Sequence, residues 1–232
     1  MKKKLRQALE NDEFILYYQP QLNLLTNTLE GVEALVRWRH PEKGLLSPEV
    51  FLSEIEALGM HNEFDNYVLT KTCEASERWF KLYQRRVAIA VNITAVEFQD
   101  EQLVLNIQKL LQQYDLPSKY IELEITESVV MTDIARAMDS IVKLQSMGIK
   151  VSIDDFGTGY SSLAYLRDLP IDKIKIDQSF IKKVATNDSD LTIVKSMIEL
   201  SHGLGKRVLA EGVETAEQLE VLRHLGCDAV QG

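Results

Sequence analysis

With 232 residues, 45% of them hydrophobic, the chain is long enough to bury one sizeable core. Its formal net charge of −9, from 26 Lys and Arg against 35 Asp and Glu, excludes broad electrostatic binding to a nucleic-acid polymer. An anionic small molecule is still reachable if metal ions mediate the contact.

The chain opens on MKKKLRQALENDEF, basic and then acidic, with no apolar signal region behind it. Strand-like runs follow at 14–22 (FILYYQPQL), 29–38 (LEGVEALVRW), 86–94 (RVAIAVNIT), 120–128 (YIELEITES) and 150–156 (KVSIDDF). Three more lie at 173–180 (KIKIDQSF), 207–213 (RVLAEGV) and 229–232 (AVQG). Amphipathic helical patterns separate them at 68–83, 101–114, 134–148, 191–205 and 216–226, and Gly148, Gly205 and Gly226 read as helix stops. No linker or low-complexity stretch interrupts the series, so residues 1–232 read as a single domain.

A repeating strand–helix order implies parallel pairing with right-handed crossovers, and about eight strands fit a β/α barrel. The rival is an open doubly wound sheet, which gathers its site at one crevice. Here nearly every run places a polar residue near its end: Glu33, Asn92, Glu124, Asp154 with Asp155, Lys175, Glu211 and Gln231. A barrel collects its chemistry at the C-terminal ends of its strands, so the barrel is favoured.

These carboxylates and a carboxamide form a hard, oxygen-only ligand set suited to Mg²⁺ or Mn²⁺. His40, His61, His202 and His224 sit at unrelated spacings and read as surface or packing residues. Cys73 and Cys227 lack zinc or disulfide-framework spacing, which suggests a reducing, cytoplasmic setting. No apolar stretch approaches bilayer length, so the domain is expected to make no direct membrane contact. Two cations about 3.5–4 Å apart sharing one carboxylate would build a site for in-line phosphoryl displacement, with Asp154 the natural bridge. Lys175 could orient or help deprotonate the attacking water. Adjacent Asp154 and Asp155 pose a question of their own, because strand residues alternate sides. GTGYSS lacks the third glycine of a dinucleotide loop and the lysine of a P-loop, so Gly157 and Gly159 read as hinge and turn residues over the site. Singly, each polar residue reads as a solvated strand end; so many at matching ends read as a site.

EALVRW (33–38), VNIT (91–94), ELEITES (122–128), IDDFGTGYSSL (153–163), KIKIDQSF (173–180), AEGVET (210–215) and LGCDAVQG (225–232) together resemble the EAL-domain family of cyclic di-GMP phosphodiesterases. The resemblance implies an α/β fold, a modified (β/α)8 TIM-like barrel whose first strand is antiparallel. It implies opening of cyclic di-GMP to linear 5′-pGpG with two Mg²⁺ or Mn²⁺ ions, and inhibition by Ca²⁺. Glu33, Asn92, Glu124 and Asp154 look like ligands of one metal, Asp154 and Asp155 of the second, with Glu211 in support. Lys175 resembles the lysine that holds the attacking water, and Gln231 a contact near it. Gln19, Leu35, Arg37 and Asp177 look like substrate contacts, Arg37 on the phosphate. Glu127 resembles the anchor of the DDFGTG loop and Glu214 the support of Glu211. A homodimer through that loop is implied, as are a sensory or GGDEF-type domain before residue 1, a longer parent protein open to membrane attachment, and a closing helix after Gly232. Ser53 stands where family members often carry proline, outside the metal set. The alternative is a catalytically silent cyclic di-GMP receptor acting through dimerisation, but no residue of the metal set is missing.

Overall fold

The computed structural model describes residues 2–158 and 163–232. A helix at Lys2–Glu10 buries Leu5 and Ala8 and leaves its lysines in water. β1 (Phe14–Asn23) turns through Asn27 into β2 (Thr28–His40), and the two pair antiparallel from Phe14↔Trp38 to Asn23↔Thr28. The outer end of β2 carries a short β3 (Gly44–Leu46). Phe14, Trp38, Phe51 and Phe64 stack around that outer end, with Phe14 and Trp38 ring centroids 5.1 Å apart.

Six more strands each follow a helix: β4 (Ala88–Asn92), β5 (Ile121–Thr126), β6 (Lys150–Phe156), β7 (Lys173–Ile176), β8 (Arg207–Ala210) and β9 (Ala229–Val230). They pair in parallel from β2 through to β9. β9 then meets β1 antiparallel at Leu22↔Val230 and Asn23↔Ala229, which closes eight strands into a barrel and leaves β3 outside. The open sheet is excluded, and β1 is antiparallel to both neighbours, as the resemblance implies.

Alternation along the strands sorts the side chains. Ile89 and Val91, Leu123 and Ile125, Val151 and Ile153, and Ile174 lie in the main hydrophobic cluster. The intervening Glu122 and Glu124, Ser152 and Asp154, and Lys173 and Lys175 share the opposite face, toward the barrel axis. The barrel interior is therefore polar.

Gly148, Gly205 and Gly226 end helices at φ +83°, +71° and +76°, as the sequence predicts. Other boundaries move. β7 stops at Ile176, short of the 173–180 run, because the Asp177 carboxylate accepts from the Ser179 N–H at 2.9 Å and caps a helical turn over Gln178–Ile181. The helix expected from 68 begins at His61. The helices Lys2–Glu10 and Pro48–Ala57 and the three-residue β3 carry no pattern long enough to stand out in the sequence. Ser53 lies exposed on the second of these helices.

Candidate active site: a lysine ringed by carboxylates

Glu33 lies within β2 rather than at its end, because β2 runs past the barrel mouth as one arm of the β1–β2 hairpin. The part of β2 paired with β4 ends at Ala34↔Val91, so Glu33 still stands at the rim. Asn92 ends β4, Glu124 and Asp154 lie near the ends of β5 and β6, Lys175 is in β7, and Glu211 and Gln231 follow β8 and β9. The structure brings all seven together.

Lys175 and Glu124 are both 0% exposed. Lys175 Nζ lies 2.7 Å from Glu124 Oε2, 2.8 Å from Glu211 Oε1, and 3.2 Å from both Glu33 Oε2 and Asp154 Oδ1. Asn92 Nδ2 donates to Glu33 Oε1 at 2.7 Å, and Gln231 Nε2 donates to Glu33 Oε2 at 2.5 Å and to Gln19 Oε1 at 3.0 Å. Gln19 lies directly opposite Glu33 in the β1–β2 pairing.

Burial pushes Glu124 well above the usual carboxylate range, against the pull of Lys175. Burial likewise pushes Glu211 up to about 7. Burial also acts on Glu33, but Lys175 and the amides of Gln231 and Asn92 outweigh it and hold that carboxyl low. Burial opposes the charge on Lys175, yet Glu124, Glu33, Asp154 and Glu211 raise its ammonium well above the ordinary value. One ammonium thus faces four carboxylates, and Glu124 Oε1 is buried with no hydrogen-bond partner among the described residues. Such a cluster is short of positive charge. Oxygens of Glu33, Glu124 and Asp154 lie within 4.8 Å of one another, as do those of Asp154, Asp155 and Glu211. Two triads sharing Asp154, oxygen-only, fit hard divalent cations.

The adjacent aspartates are reconciled by a bulge. β6 pairs regularly with β7 to Ile153↔Ile174, slips, and resumes at Phe156↔Ile176. Asp155 takes φ +55° there, and its N–H donates to Asp154 Oδ1 at 2.9 Å. The kink lets both carboxylates reach the same mouth despite strand alternation. Burial and then Asp154 raise the Asp155 carboxyl.

Beyond the ring, Glu127 Oε2 accepts from the Gly157 N–H at 3.4 Å and its Oε1 from the Tyr165 hydroxyl at 2.6 Å. Gly157 has φ +96°, and a Cβ there would lie 2.4 Å from Met197 Cε. Leu35 and Arg37 follow Glu33 on the same face of β2, outside the mouth. The Arg37 guanidinium lies 6.0 Å from the Tyr17 ring centroid and donates to its neighbour's carbonyl, Val36 O, at 2.8 Å. Asp177 stands past the end of β7 as the cap described above. Glu214 is not brought onto Glu211: it is exposed, and its carboxylate accepts no hydrogen bond among the described residues. Gln218 ties that segment instead, its Oε1 accepting from the N–H groups of Glu214 and Thr215 at 2.8 and 3.0 Å. Gly159 lies outside the described residues.

Sequence reasoning missed Gln21, Glu122 and Lys173, which are buried in the barrel beneath the ring. The signal was present: in IELE and KIKI, Glu122 and Lys173 each sit two positions before a chosen residue, and in QPQ Gln21 sits two positions after Gln19, in each case on the same strand face.

The EAL domain model matches residues 2–232. The chain is 42% identical over 232 residues to the cyclic di-GMP phosphodiesterase NbdA of Pseudomonas aeruginosa, covering all of this chain and 30% of NbdA. It is 40% identical over 228 residues to the bifunctional diguanylate cyclase/cyclic di-GMP phosphodiesterase MucR of the same organism, covering 98% of this chain and 33% of MucR. The chain thus spans about a third of the length of these curated relatives. Among solved structures, the PaMucR phosphodiesterase in complex with c-di-GMP superposes with a TM-score of 0.93 at 39% identity, covering all of this chain and 94% of that one. An EAL domain protein from Listeria monocytogenes gives 0.84 at 34% identity, covering 100% and 91%. By motif, fold and match along nearly its whole length, the chain belongs to the EAL-domain family.

Proposed function

We propose that this chain is a cyclic di-GMP phosphodiesterase that opens the cyclic dinucleotide to linear 5′-pGpG with Mg²⁺ or Mn²⁺. The observation that carries the reading is the ring of Glu33, Glu124, Asp154 and Glu211 around Lys175, with its excess of negative charge and two cation-sized triads meeting at Asp154. The names of the relatives and of the c-di-GMP complex support the choice of substrate.

In this reading Glu33, Asn92, Glu124 and Asp154 hold one cation, and Asp154, Asp155 and Glu211 the other. When bound, the cations neutralise charge at the scissile phosphate and favour the nucleophilic form of water. Lys175, as an ammonium that can only donate, holds the attacking water by its lone pair. Arg37 offers a planar fork to the phosphate, and Gln19, Leu35 and Asp177 contact the rest of the ligand. Gln231 fixes Glu33 from below. Glu127 steadies the segment that begins at Gly157, through which a homodimer could set the position of Asp155. The much greater length of the relatives supports a parent protein with an adjoining sensory or GGDEF-type domain. The family match and the absence, among the described residues, of a helix long and apolar enough to cross a membrane suit a domain working in the cytoplasm.

The test is turnover: purified protein, cyclic di-GMP and Mg²⁺, with product followed by chromatography. Linear pGpG in Mg²⁺ and Mn²⁺ but not in Ca²⁺ is the expected result. Saturable binding without product would replace the enzyme with a receptor, and equal activity in Ca²⁺ would remove the two-cation mechanism.

A further inference from the structure

A second layer of buried polar side chains lies beneath the carboxylate ring. Glu122 sits two residues before Glu124 on β5, and Lys173 two before Lys175 on β7. Lys173 Nζ is 2.9 Å from Glu122 Oε1, 3.0 Å from Glu122 Oε2 and 3.3 Å from Gln21 Oε1. Gln21 Nε2 donates to Gln231 Oε1 at 3.0 Å, and Gln231 Nε2 donates onward to Glu33 and Gln19. Lys173, Glu122, Gln21, Gln231 and Glu33 are all buried.

The direction of this relay is dictated from both ends. An ammonium can only donate, and an ionised carboxylate can only accept. Lys173 therefore draws the carbonyl oxygen of Gln21, which turns the Gln21 nitrogen to Gln231. At the other end Glu33 draws the nitrogen of Gln231. Both ends demand the same sense, so each amide between them has one orientation. Gln19 accepts with its oxygen, and its nitrogen has no partner among the described residues. A buried Lys–Glu pair adds little net stability over an apolar pair of the same volume. What this pair supplies is a direction.

We propose that Lys173 is a positioning residue which, through Gln21 and Gln231, leaves the Gln19 amide with only its nitrogen free for the ligand. The site then selects an acceptor on the bound nucleotide, such as guanine O6, over a donor, such as the exocyclic amine of adenine. This inference rests on the ligand assigned under the proposed function.

The experiment measures Kd by calorimetry, in Ca²⁺ buffer, for cyclic di-GMP and cyclic di-AMP. Gln21→Glu is nearly isosteric; it keeps the acceptor facing Lys173 and loses the donor facing Gln231. Lys173→Met combined with Glu122→Leu removes the lower of the two sources of direction, the one that acts on Gln21, without leaving a buried charge unpaired. Each should weaken cyclic di-GMP binding about tenfold, the loss of one hydrogen bond, and shrink the preference over cyclic di-AMP by a similar factor. Adding Gln19→Ala to either background should cost little more, although the same change alone costs about tenfold. Unchanged selectivity in the variants, or a Gln19→Ala loss equal in every background, overturns the role of Lys173. If the double variant does not fold, Gln21→Glu decides alone. A wild-type chain that binds neither dinucleotide overturns the ligand assignment and this inference together, whereas a wild type that binds beside indifferent variants overturns this inference only.

Discussion

Lys175 faces four carboxylates within 3.2 Å, so removing its charge leaves a buried, uncompensated cluster. Breaking a buried pair costs about 3–5 kcal/mol, and each kcal/mol shifts the melting temperature of a chain this size by about 2–4 °C. Lys175→Met should therefore lower the melting temperature by about 10 °C in chelator, and Mn²⁺ should recover most of that loss by supplying the missing charge. A deficit indifferent to Mn²⁺ would contradict the cation-binding reading. Glu33→Ala should lower kcat by more than about a hundredfold, since even supporting residues of a metal site cost about 10–100-fold; retained turnover would sink the site assignment. A separate acidic pair sits under the helical turn Ala95–Phe98, where the Thr94 hydroxyl donates to buried Asp65 at 2.6 Å. Burial raises Asp65 to about 6 and Glu97 to about 7. Unfolded carboxyls titrate near about 4, so the folded chain holds these protons more tightly than the unfolded one. Their contribution to stability is full below about pH 4 and is lost as pH rises through 6 and 7. Glu97→Gln should flatten the decline of the denaturation midpoint between about pH 5 and 8; an unchanged slope would place the pH dependence elsewhere.

At the scale of elements, β6 shows what a strand pattern conveys and what it omits. KVSIDDF is legible as a buried strand because Val151, Ile153 and Phe156 are apolar, and Asp154 is legible as a site residue because it stands at the strand end. The bulge that turns Asp155 to the same mouth is not legible: it depends on the slipped register with β7, a property of two strands. The same reason hides the contacts among Gln21, Glu122 and Lys173, though their spacing from chosen residues is visible in the sequence. Each residue alone reads as an ordinary polar strand position, and only closure of the barrel sets them facing one another. Glu214 shows the converse, a role implied by resemblance for a side chain that lies exposed, while Gln218 holds its backbone N–H. The segment after the bulge depends on Gly157, where a side chain meets both a left-handed φ and the Met197 and Phe180 side chains. Gly157→Ala should displace Asp155 and lower kcat about tenfold while shifting the melting temperature by only a few degrees, the cost of about 1–2 kcal/mol for an L-residue in that conformation. Wild-type turnover in this variant would show that the geometry after β6 does not set the site.

For the whole molecule, closure is uneven. β1 and β2 pair from Phe14↔Trp38 to Asn23↔Thr28, whereas β1 and β9 share only Leu22↔Val230 and Asn23↔Ala229. Local openings follow the thinnest pairing, so native-state hydrogen exchange should be fastest among the strands at Ala229 and Val230 and slowest in β5 and β6. Equal protection around the ring would show the seam to be as firm as the rest. The seam also joins residues far apart in the chain, since Gln231 bonds Gln19, Gln21 and Glu33 across it. On the ribosome, a nascent chain that has already exposed Gln19 and Glu33 must wait about two hundred residues for the partner that orients them. The growing polypeptide therefore cannot complete these contacts until residue 231 has cleared the exit tunnel, and a prematurely released fragment carries Gln19 and Glu33 without the amide that joins them.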